Sequence, residues 1–355
     1  VAKAGPEIQP ISFTVLAHSA SPLPIDLSGE SETMLDTRLD WRVLDLRVPK
    51  NLAIFTIESK VMEGMEEYLR NVGFLQVSTP AILGGLSEGG SEVFKLDYFG
   101  NPAFLRQDPQ LHRQLAIAGG LDKIYDLGPN WRAETSHTPR HLCEHRACAA
   151  EFGFISDEKD TERVEEELVA YAFSKVAKDC SGELEVLKVE LEQPARPFPE
   201  IVFPEIYDII REYGKKIEFG AEVDREDEQI LANHVKERMK SDFFFINRFP
   251  FDVKPFYVMR SEDPKWARSV DLVYRGMELS SGGQRENNYE RLMEQVRLKG
   301  MDEKTISWFT DNFKYGVPPH GGFAIGIERT VMKMLGIENI REASLFPRTP
   351  DRLRP

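Results

Sequence analysis

A glycine-spaced strand that runs directly into a helix is the part of this chain best suited to chemistry on a nucleotide. Residues 322–329 have the sequence Gly-Phe-Ala-Ile-Gly-Ile-Glu-Arg, and a helical pattern continues to residue 335. Gly322 and Gly326 remove side chains where a flat ring or a phosphate must approach the backbone. Arg329 then offers a planar cation to the same ligand. The segment therefore predicts a nucleotide site.

A second segment, residues 131–144, is predicted to form two antiparallel strands joined by a polar turn. Arg132 is expected on the first of these strands, facing the same site as Arg329. A bidentate guanidinium on the α-phosphate of a nucleotide stabilises the charge that develops when an acyl oxygen attacks it. An isolated arginine is more often a solvated surface charge, so this prediction depends on several such positions occurring together.

Two carboxylates, Asp271 and Glu278, lie on a predicted strand over residues 270–278, with a glycine between them. That glycine allows a bend or a bulge, and carboxylates that converge from such a strand suit a Mg²⁺ ion bridging phosphates. On an unbent strand their odd spacing would place them on opposite faces, as ordinary exposed acids. Magnesium binding and simple exposure both remain open at this point.

Residues 280–285, Ser-Ser-Gly-Gly-Gln-Arg, are predicted to form a small-residue turn that presents Arg285. A cation at the end of a tight turn is well placed to bind a small carboxylate. Arg113, on a helix predicted over residues 110–119, is a second candidate for that role. Residues 87–91 form a flexible loop whose Glu88 could close over an ammonium group, the alternative being a plain surface turn.

Composition narrows the possible partners of the 355-residue chain. Its 45 basic and 59 acidic residues give a net charge of −14, so no overall positive field draws it onto nucleic acid or anionic lipid. Any RNA contact must come from a local basic patch. The three cysteines, at positions 143, 148 and 180, are too few for a disulfide framework and favour a cytoplasmic location. No run approaches the roughly 18 apolar residues of a membrane-spanning helix.

The order of predicted elements indicates an α+β fold, an antiparallel β-sheet flanked by helices. Strands occur in consecutive groups with helices gathered between them, and a doubly wound parallel sheet is the alternative. Residues 1 to about 35, with a strand between 8 and 27, are interpreted as the end of a missing N-terminal module and a hinge. Residues about 160–240 are interpreted as a helical insertion. Apolar residues at helical spacing predict a long amphipathic helix through Ile54, Ile57, Val61, Met65 and Leu69.

These segments together resemble the catalytic domain of class II aminoacyl-tRNA synthetases, and most of all the aspartyl type of archaea and eukaryotes. Residues 73–80 resemble the first motif of that class, residues 131–144 the second and residues 322–329 the third. Further segments resemble ones particular to the aspartyl and asparaginyl branch, namely residues 87–90, 107–114, 279–285 and 345–348. The similarity extends from about Leu35 to Pro355.

The resemblance implies that residues 36–355 form the catalytic domain of an aspartate–tRNA ligase, a homodimer built around the motif that ends at Pro80. ATP would bind bent between the catalytic residues Arg132 and Arg329, and Asp271 and Glu278 would hold Mg²⁺. The implied ATP-binding residues are Arg132, Glu134, His141, His145, Glu278, Gly326 and Arg329. The implied amino-acid-binding residues are Glu88, Gln110, Arg113, Ser281 and Arg285. L-aspartate would be activated by attack on the α-phosphorus and then transferred to the end of tRNA(Asp).

Four positions depart from the family pattern. Arg113 stands where the family usually has lysine, and its longer planar fork changes the fit to a small substrate. His145 replaces a phenylalanine that stacks on adenine, and Ala149 replaces an acid that helps to hold the substrate amino group. Asn287 replaces a histidine. These differences predict weaker stacking on ATP and weaker ammonium binding.

Other functions remain as alternatives. An asparaginyl enzyme, or a paralogue that amidates aspartate without tRNA, would share the fold, but two unpaired guanidiniums at Arg113 and Arg285 would favour a charged aspartate. A non-catalytic binding role is suggested by His145 and Ala149. Residues 141–145 also match the HxxEH pattern of a zinc hydrolase. That site needs a helix, whereas the flanking residues are predicted to form a strand.

Overall fold

Strands of two sheets form the frame of the protein. This computed structural model describes residues 8–28, 33–85, 92–136, 138–221 and 223–354. In chain order the strands are β1 (Leu75–Gln76), β2 (Ile82–Leu83), β3 (Lys95–Tyr98), β4 (Asn101–Leu105), β5 (Lys123–Trp131), β6 (Glu144–Gly153), β7 (Glu200–Val202), β8 (Phe243–Asn247), β9 (Ser269–Tyr274), β10 (Glu278–Arg285) and β11 (His320–Gly326).

The large sheet has the strand order β1-β5-β6-β11-β10-β9-β8-β7. Its central pairs are antiparallel, and only the outer pairs, β1 with β5 and β7 with β8, are parallel. The order β2-β4-β3 makes a smaller antiparallel sheet. The second motif segment, residues 131–144, runs from the end of β5 to the start of β6, and the third, residues 322–329, runs from β11 into the helix that follows it. Because β6 lies between β5 and β11, residues far apart in sequence meet at the middle of the large sheet.

The helices of the described residues lie between groups of strands rather than alternating with them one for one. In chain order they are α1 (Leu35–Asp40), α2 (Arg42–Asp45), α3 (Pro49–Asn71), α4 (Gln110–Ala118), α5 (Lys159–Asp179), α6 (Ser181–Leu187), α7 (Glu205–Glu212), α8 (Arg225–Met239), α9 (Tyr289–Leu298), α10 (Glu303–Thr310) and α11 (Ile327–Leu335). The predicted α+β fold with a mainly antiparallel sheet is confirmed. Among the described residues, none of these helices combines the length and apolar character needed to cross a membrane.

The long helices α3 and α5 cover one face of the large sheet and build the main apolar core. Ile57, Val61 and Leu69 of α3 are fully buried there, as the helical spacing predicted. Burying each such side chain contributes about 1.5–3 kcal/mol. Gly64 lets the two helices approach closely, because a Cβ there would lie 3.0 Å from the Cα of Ala172. The core is therefore set by a helix pair stacked on the sheet.

Strand β6 shows how the sheet divides its two faces. Cys148, Ala150 and Phe152 belong to the main core, and successive side chains of a strand point to opposite faces. The alternate positions therefore lie on the other face, where His145 and Ala147 line a cavity. One face of the sheet stabilises the fold and the other carries polar groups.

The segment interpreted as an insertion divides into two parts in the structure. Helix α5 packs against α3 in the main core, so a boundary at residue 160 would fall inside that core. Helices α7 and α8 instead build a separate apolar cluster over strand β8, with Ile206, Ile210, Leu231 and Val235 fully buried. The later part of the segment is thus the one that forms a cluster of its own.

Three local predictions were wrong. Residues 8–27 contain no strand, and most of them are exposed. Residues 270–278 form a hairpin rather than one strand, because Arg275 and Gly276 both have positive φ, at 47° and 69°, and close a two-residue turn. The predicted turn at 280–285 is part of strand β10, which pairs with both β9 and β11.

Candidate active site

A cavity of about 820 Å³ opens on the face of the large sheet opposite α3 and α5. Most of the residues singled out from the sequence line it: Gln110, Arg132, Glu134, His141, His145, Glu278, Ser281, Arg285, Gly326 and Arg329. Arg113 and Asp271 are not among the lining residues, and Glu88 lies outside the described residues. Side chains from segments up to about two hundred residues apart thus share one polar cavity.

The two arginines expected at the nucleotide come from the two sides of strand β6, one after β5 and one in α11, which follows β11. Arg132 directly follows β5 instead of lying on it, but its amide still donates to the carbonyl oxygen of Cys143 at 3.0 Å. Arg329 is in the first turn of α11, where its Nη1 donates to the backbone oxygen of Glu278 at 3.1 Å and lies 3.4 Å from that residue's Oε1. Both side chains line the same cavity, as predicted.

Gly322 and Gly326, the two glycines of the strand-to-helix segment 322–329, have different roles. A Cβ on Gly322 would lie 2.1 Å from the carbonyl oxygen of Ala150 and 2.3 Å from Oε2 of Glu151, whereas one on Gly326 would meet its nearest atoms at 3.7 Å. Gly326 lines the cavity and leaves room for a ligand, as expected. Gly322 is instead required by the neighbouring strand β6, so its assignment to ligand approach was wrong.

Glu328, next to Arg329, connects helix α11 to strand β6. Its carboxylate is buried and accepts the backbone N–H of Arg146 at 2.9 and 3.1 Å. Burial raises the pKa of this carboxyl to about 7. Since Arg146 follows His145 directly, the contact fixes the first turn of α11 against the cavity-lining part of β6.

Two histidines, His141 and His145, line the cavity, and the pKa of each is lowered. Burial, followed by the nearby charges of Arg132 and Arg329, lowers the pKa of His145 to about 4. Burial and then Arg329 also lower the pKa of His141, whose Nδ1 lies 2.5 Å from Oγ1 of Thr138. A neutral imidazole at position 145 keeps a flat face where the family has phenylalanine.

The zinc alternative does not agree with this geometry. His145 is on strand β6, and His141 lies in the loop before it, so the helix required by an HxxEH site is not formed. Within the described ranges, no group of three or more His, Cys, Asp or Glu side chains is placed to hold a metal ion.

At the deep end of the cavity, Arg285 forms a buried ion pair with Glu151. Arg285 Nε lies 3.0 Å from Glu151 Oε1, and its Nη2 donates to the carbonyl oxygen of Gly322 at 2.9 Å. Gln110 donates to Glu151 Oε2 at 2.9 Å. Among the described residues, Nη1 of Arg285 has no hydrogen-bond partner, which leaves one donor edge for a ligand. Sequence reasoning missed Glu151, although a single acid in the apolar run Ala-Cys-Ala-Ala-Glu-Phe needs a buried partner.

Arg113 lies behind this pair and outside the lining of the cavity. It is 1% exposed, and its two terminal nitrogens bind both carboxylate oxygens of Asp108 at 2.9 and 2.5 Å. Its Nη2 also donates to Oε1 of Gln110 at 2.8 Å. Each of the two guanidiniums therefore already has a carboxylate partner, Asp108 for Arg113 and Glu151 for Arg285. The argument from two unpaired cations was wrong.

The acids expected to bind magnesium meet across the β9–β10 hairpin. Asp271 of β9 is in register with Ser281 of β10, and it lines a second cavity of about 180 Å³ together with Glu278, which borders both cavities. Burial raises the pKa of Asp271 to about 6, even though Nζ of Lys254 lies 2.9 Å from its Oδ2. The hairpin turn brings the two strands together, and the pairing register shifts between Glu278 and Ser280, as at a bulge.

This donor set fits Mg²⁺. The ion binds through one or two carboxylates and takes its remaining ligands from water and substrate phosphates. Asp271 and Glu278 supply two carboxylates, and the described part of the chain has no group of three or more such ligands, which agrees with this mode of binding. The residues present are therefore suited to a metal that arrives with phosphate groups.

Two departures from the family pattern have structural counterparts. Ala149 is buried and pairs with Ala324 of β11, so no acid projects from that position of the sheet. Glu151, two residues further along, is on the same face, and its fully buried carboxylate binds Gln110 and Arg285, which line the cavity. Asn287 donates to the carbonyl oxygen of Val317 at 3.1 Å and has a structural contact.

Comparisons with known proteins agree with these motifs. Residues 34–350 match the family model described as tRNA synthetases class II (D, K and N). The aspartate–tRNA(Asp) ligase of Pyrococcus furiosus is 45% identical over 355 residues, which cover the whole chain and 81% of that protein. The aspartate–tRNA(Asp/Asn) ligase of Aeropyrum pernix is 41% identical over 354 residues, covering 99% of this chain and 80% of that one.

Solved structures of the same class have the same architecture. Asparaginyl-tRNA synthetase from Pyrococcus horikoshii, complexed with asparaginyl-adenylate, superposes with a TM-score of 0.85 at 34% identity, over 91% of this chain and 74% of that one. A putative aspartyl-tRNA synthetase from Leishmania major gives 0.84 at 30% identity, over 95% and 74%. The resemblance found in the sequence is confirmed, and the chain belongs to the class II tRNA synthetase family for aspartate, lysine and asparagine (D, K and N).

Proposed function

We propose that this protein is an aspartate–tRNA ligase that activates L-aspartate with ATP and transfers it to tRNA(Asp). The observation that carries the proposal is one cavity with cations at two places. Arg132 and Arg329 lie beside the nucleotide-type segment, and Arg285 lies at the deep end. Binding of ATP together with an acidic amino acid requires cations at two separate places, because a triphosphate and a side-chain carboxylate must be held at the same time.

In the first reaction, an oxygen of the aspartate α-carboxylate attacks the α-phosphorus of ATP, and the bond to pyrophosphate breaks. Arg132 stabilises the additional negative charge on the α-phosphoryl oxygens, and Arg329 holds the nucleotide from the helix side. Asp271 and Glu278 would hold Mg²⁺, which neutralises phosphate charge when it is bound. In the second reaction, a hydroxyl of the terminal adenosine of tRNA attacks the acyl carbon, AMP leaves and the hydroxyl proton is released.

Side-chain binding centres on Arg285. Its Nε and Nη2 are held by Glu151, Gln110 and the backbone, so the guanidinium is oriented before a ligand arrives. Arg113 would act through Gln110, whose Oε1 it binds, rather than by direct contact. Glu134 and His141 would contact the adenine side of ATP, and Gln110 and Ser281 the amino acid.

Asparagine is the competing substrate, and one observation favours it. Arg285 at the deep end, and Arg113 behind it, are balanced by the carboxylates of Glu151 and Asp108. A pocket in which each cation already has a carboxylate partner penalises the neutral carboxamide of asparagine less than a pocket with two unpaired guanidiniums would. The choice between the two amino acids therefore has to be measured directly.

A homodimer and a cytoplasmic location complete the proposal. The edge strand β1 presents the exposed apolar side chain of Leu75, and Val72 and Ile82 beside it are also exposed. Pro80 ends this segment in an exposed position, and a proline suits the edge of a sheet or an interface. A second copy of the chain would cover these side chains, which light scattering on purified protein would detect as a doubled mass.

The deciding experiment is pyrophosphate exchange into ATP with aspartate and asparagine measured side by side. Exchange that depends on aspartate supports the proposal, and exchange that depends on asparagine supports an asparaginyl enzyme. Absence of exchange with both amino acids would indicate a binding role without catalysis. Charging of tRNA(Asp) and tRNA(Asn) transcripts by the same preparation would then show whether one tRNA or both are substrates.

A further inference from the structure

Three carboxylates surround the small cavity beside the main one, and each has a cation as its partner. The acids are Glu228 of helix α8, Asp271 of β9 and Glu278 of β10. All three cations line the main cavity. The closest nitrogen–oxygen separations are 2.8 Å for Arg140–Glu228, 2.9 Å for Lys254–Asp271 and 3.4 Å for Arg329–Glu278. Three ion pairs therefore connect the lining of the small cavity to the lining of the main one.

Lys254 is the cation in this group that lies deepest. It lines both cavities, its side chain is 12% exposed, and its Nζ lies 3.6 Å from the centre of the Phe249 ring. Both oxygens of Asp271 accept from this ammonium, at 2.9 and 3.1 Å. An ammonium group thus takes the position beside Asp271 that a divalent cation would need.

The three pairs have a common chemical property. Their cations face the cavity in which phosphates would bind, and two of their acids are suited to a metal ion. A bound triphosphate would take the three cations away from their acids. A bound metal ion would take the acids away from their cations. Either ligand alone would leave charges without partners, and for the largely buried Lys254–Asp271 pair this is unfavourable. The two ligands together would provide a new partner for every group.

We infer that Lys254 is a positioning residue that occupies Asp271 until a metal–nucleotide complex arrives, and that it then transfers its ion pair to a phosphate. The inference rests on the proposed function, because it requires ATP in the main cavity. Arg140 and Arg329 exchange partners in the same way. The consequence is that the divalent cation and ATP bind cooperatively, with the metal alone excluded by the ammonium of Lys254.

Metal binding without nucleotide tests this inference. Mn²⁺ titrated calorimetrically into the full-length Lys254→Met variant should bind about 10-fold more tightly than to wild type, within the usual range of coupling between two sites. The factor by which ATP improves Mn²⁺ affinity should fall by the same amount. Lys254→Arg keeps the cation and should restore the wild-type values. Lys236→Met removes a lysine from a surface pair with Asp242 and serves as the matched control.

The outcomes separate this inference from the proposed function. Equal Mn²⁺ affinity in wild type and in Lys254→Met would overturn the inference, even if wild type shows aspartate-dependent exchange. Should Lys254→Met fail to give the circular dichroism spectrum of wild type, Lys254→Gln supplies a second neutral side chain for the same comparison. If wild type shows no exchange but Mn²⁺ affinity differs between wild type and Lys254→Met, the proposed function is contradicted. The conclusion that the ammonium of Lys254 excludes the metal ion would still hold.

Discussion

Replacing Arg285 by leucine should affect stability as well as substrate binding. Arg285 is 4% exposed and its partner Glu151 is fully buried, so the substitution leaves a carboxylate without its cation inside the protein. Removing one partner of a buried ion pair costs about 3–5 kcal/mol. At about 2 °C per kcal/mol for a chain of this size, the melting temperature should fall by roughly 6–10 °C.

A double variant separates the unpaired charge from the loss of the pair itself. Arg285→Met combined with Glu151→Met removes both charges while keeping side chains of similar length. Replacing both partners of a buried pair by apolar groups is often neutral, so most of the lost stability should return. Aspartate-dependent exchange should remain absent, because the cation for the substrate carboxylate is still missing.

The two effects need two assays on the same protein preparations. Urea unfolding gives the free energy of unfolding, and separate titrations give the affinities for ATP and for aspartate. Arg285→Leu should lose aspartate binding while it retains most of its ATP binding. A single variant as stable as wild type would refute the reasoning about Glu151, and an unchanged aspartate affinity would refute the role of Arg285.

Three further predictions follow from single positions. Arg329→Ala should reduce pyrophosphate exchange by about 10²–10³-fold, with little change in melting temperature because the side chain is partly exposed; unchanged exchange would count against the nucleotide site. Burial raises the pKa of Glu165 to about 8, above its ordinary value of 4.5, so its stabilising effect is full below about pH 4.5 and is lost as the pH rises towards 8. Wild type should lose roughly 3 kcal/mol of unfolding free energy between pH 4.5 and 7 from this group, and urea titrations of Glu165→Gln should not show that loss. Gly322→Ala should destabilise by about 3 kcal/mol or more through its clash with β6, whereas Gly326→Ala should melt near wild type and weaken ATP binding instead.

The long elements could be predicted from the sequence because each has a pattern several turns or residues long. Helix α3 has apolar residues at helical spacing over its full length, and the structure buries them. Strands β1 and β2 have two residues each, too few for any alternation to show. Residues 8–27 were wrongly predicted to contain a strand for the opposite reason. Part of that segment alternates between apolar and polar residues, but it has no strand partner among the described residues. Alternation indicates a face that could be buried, and only the rest of the fold supplies the neighbour.

Residues that line the main cavity were predictable where a charged side chain follows glycines or lies between apolar residues. Arg329, Arg285 and Glu278 were found in this way, and all three line the main cavity. Pairings over long sequence distances were not accessible. The contact between Arg140 and Glu228 joins residues 88 positions apart, and nothing in either local sequence indicates the other. The partner of a charge depends on the completed fold.

The contact of Glu328 with the amide of Arg146 has a consequence for ligand affinity. It joins the first turn of α11 to β6, so Arg329 and His145 keep one separation before any nucleotide is present. Ordering of these two groups is then completed during folding, and binding loses correspondingly less conformational entropy. If this joint were loosened, both side chains would remain but at a variable separation. Affinity and turnover would then fall together, although no group that touches the ligand had been removed.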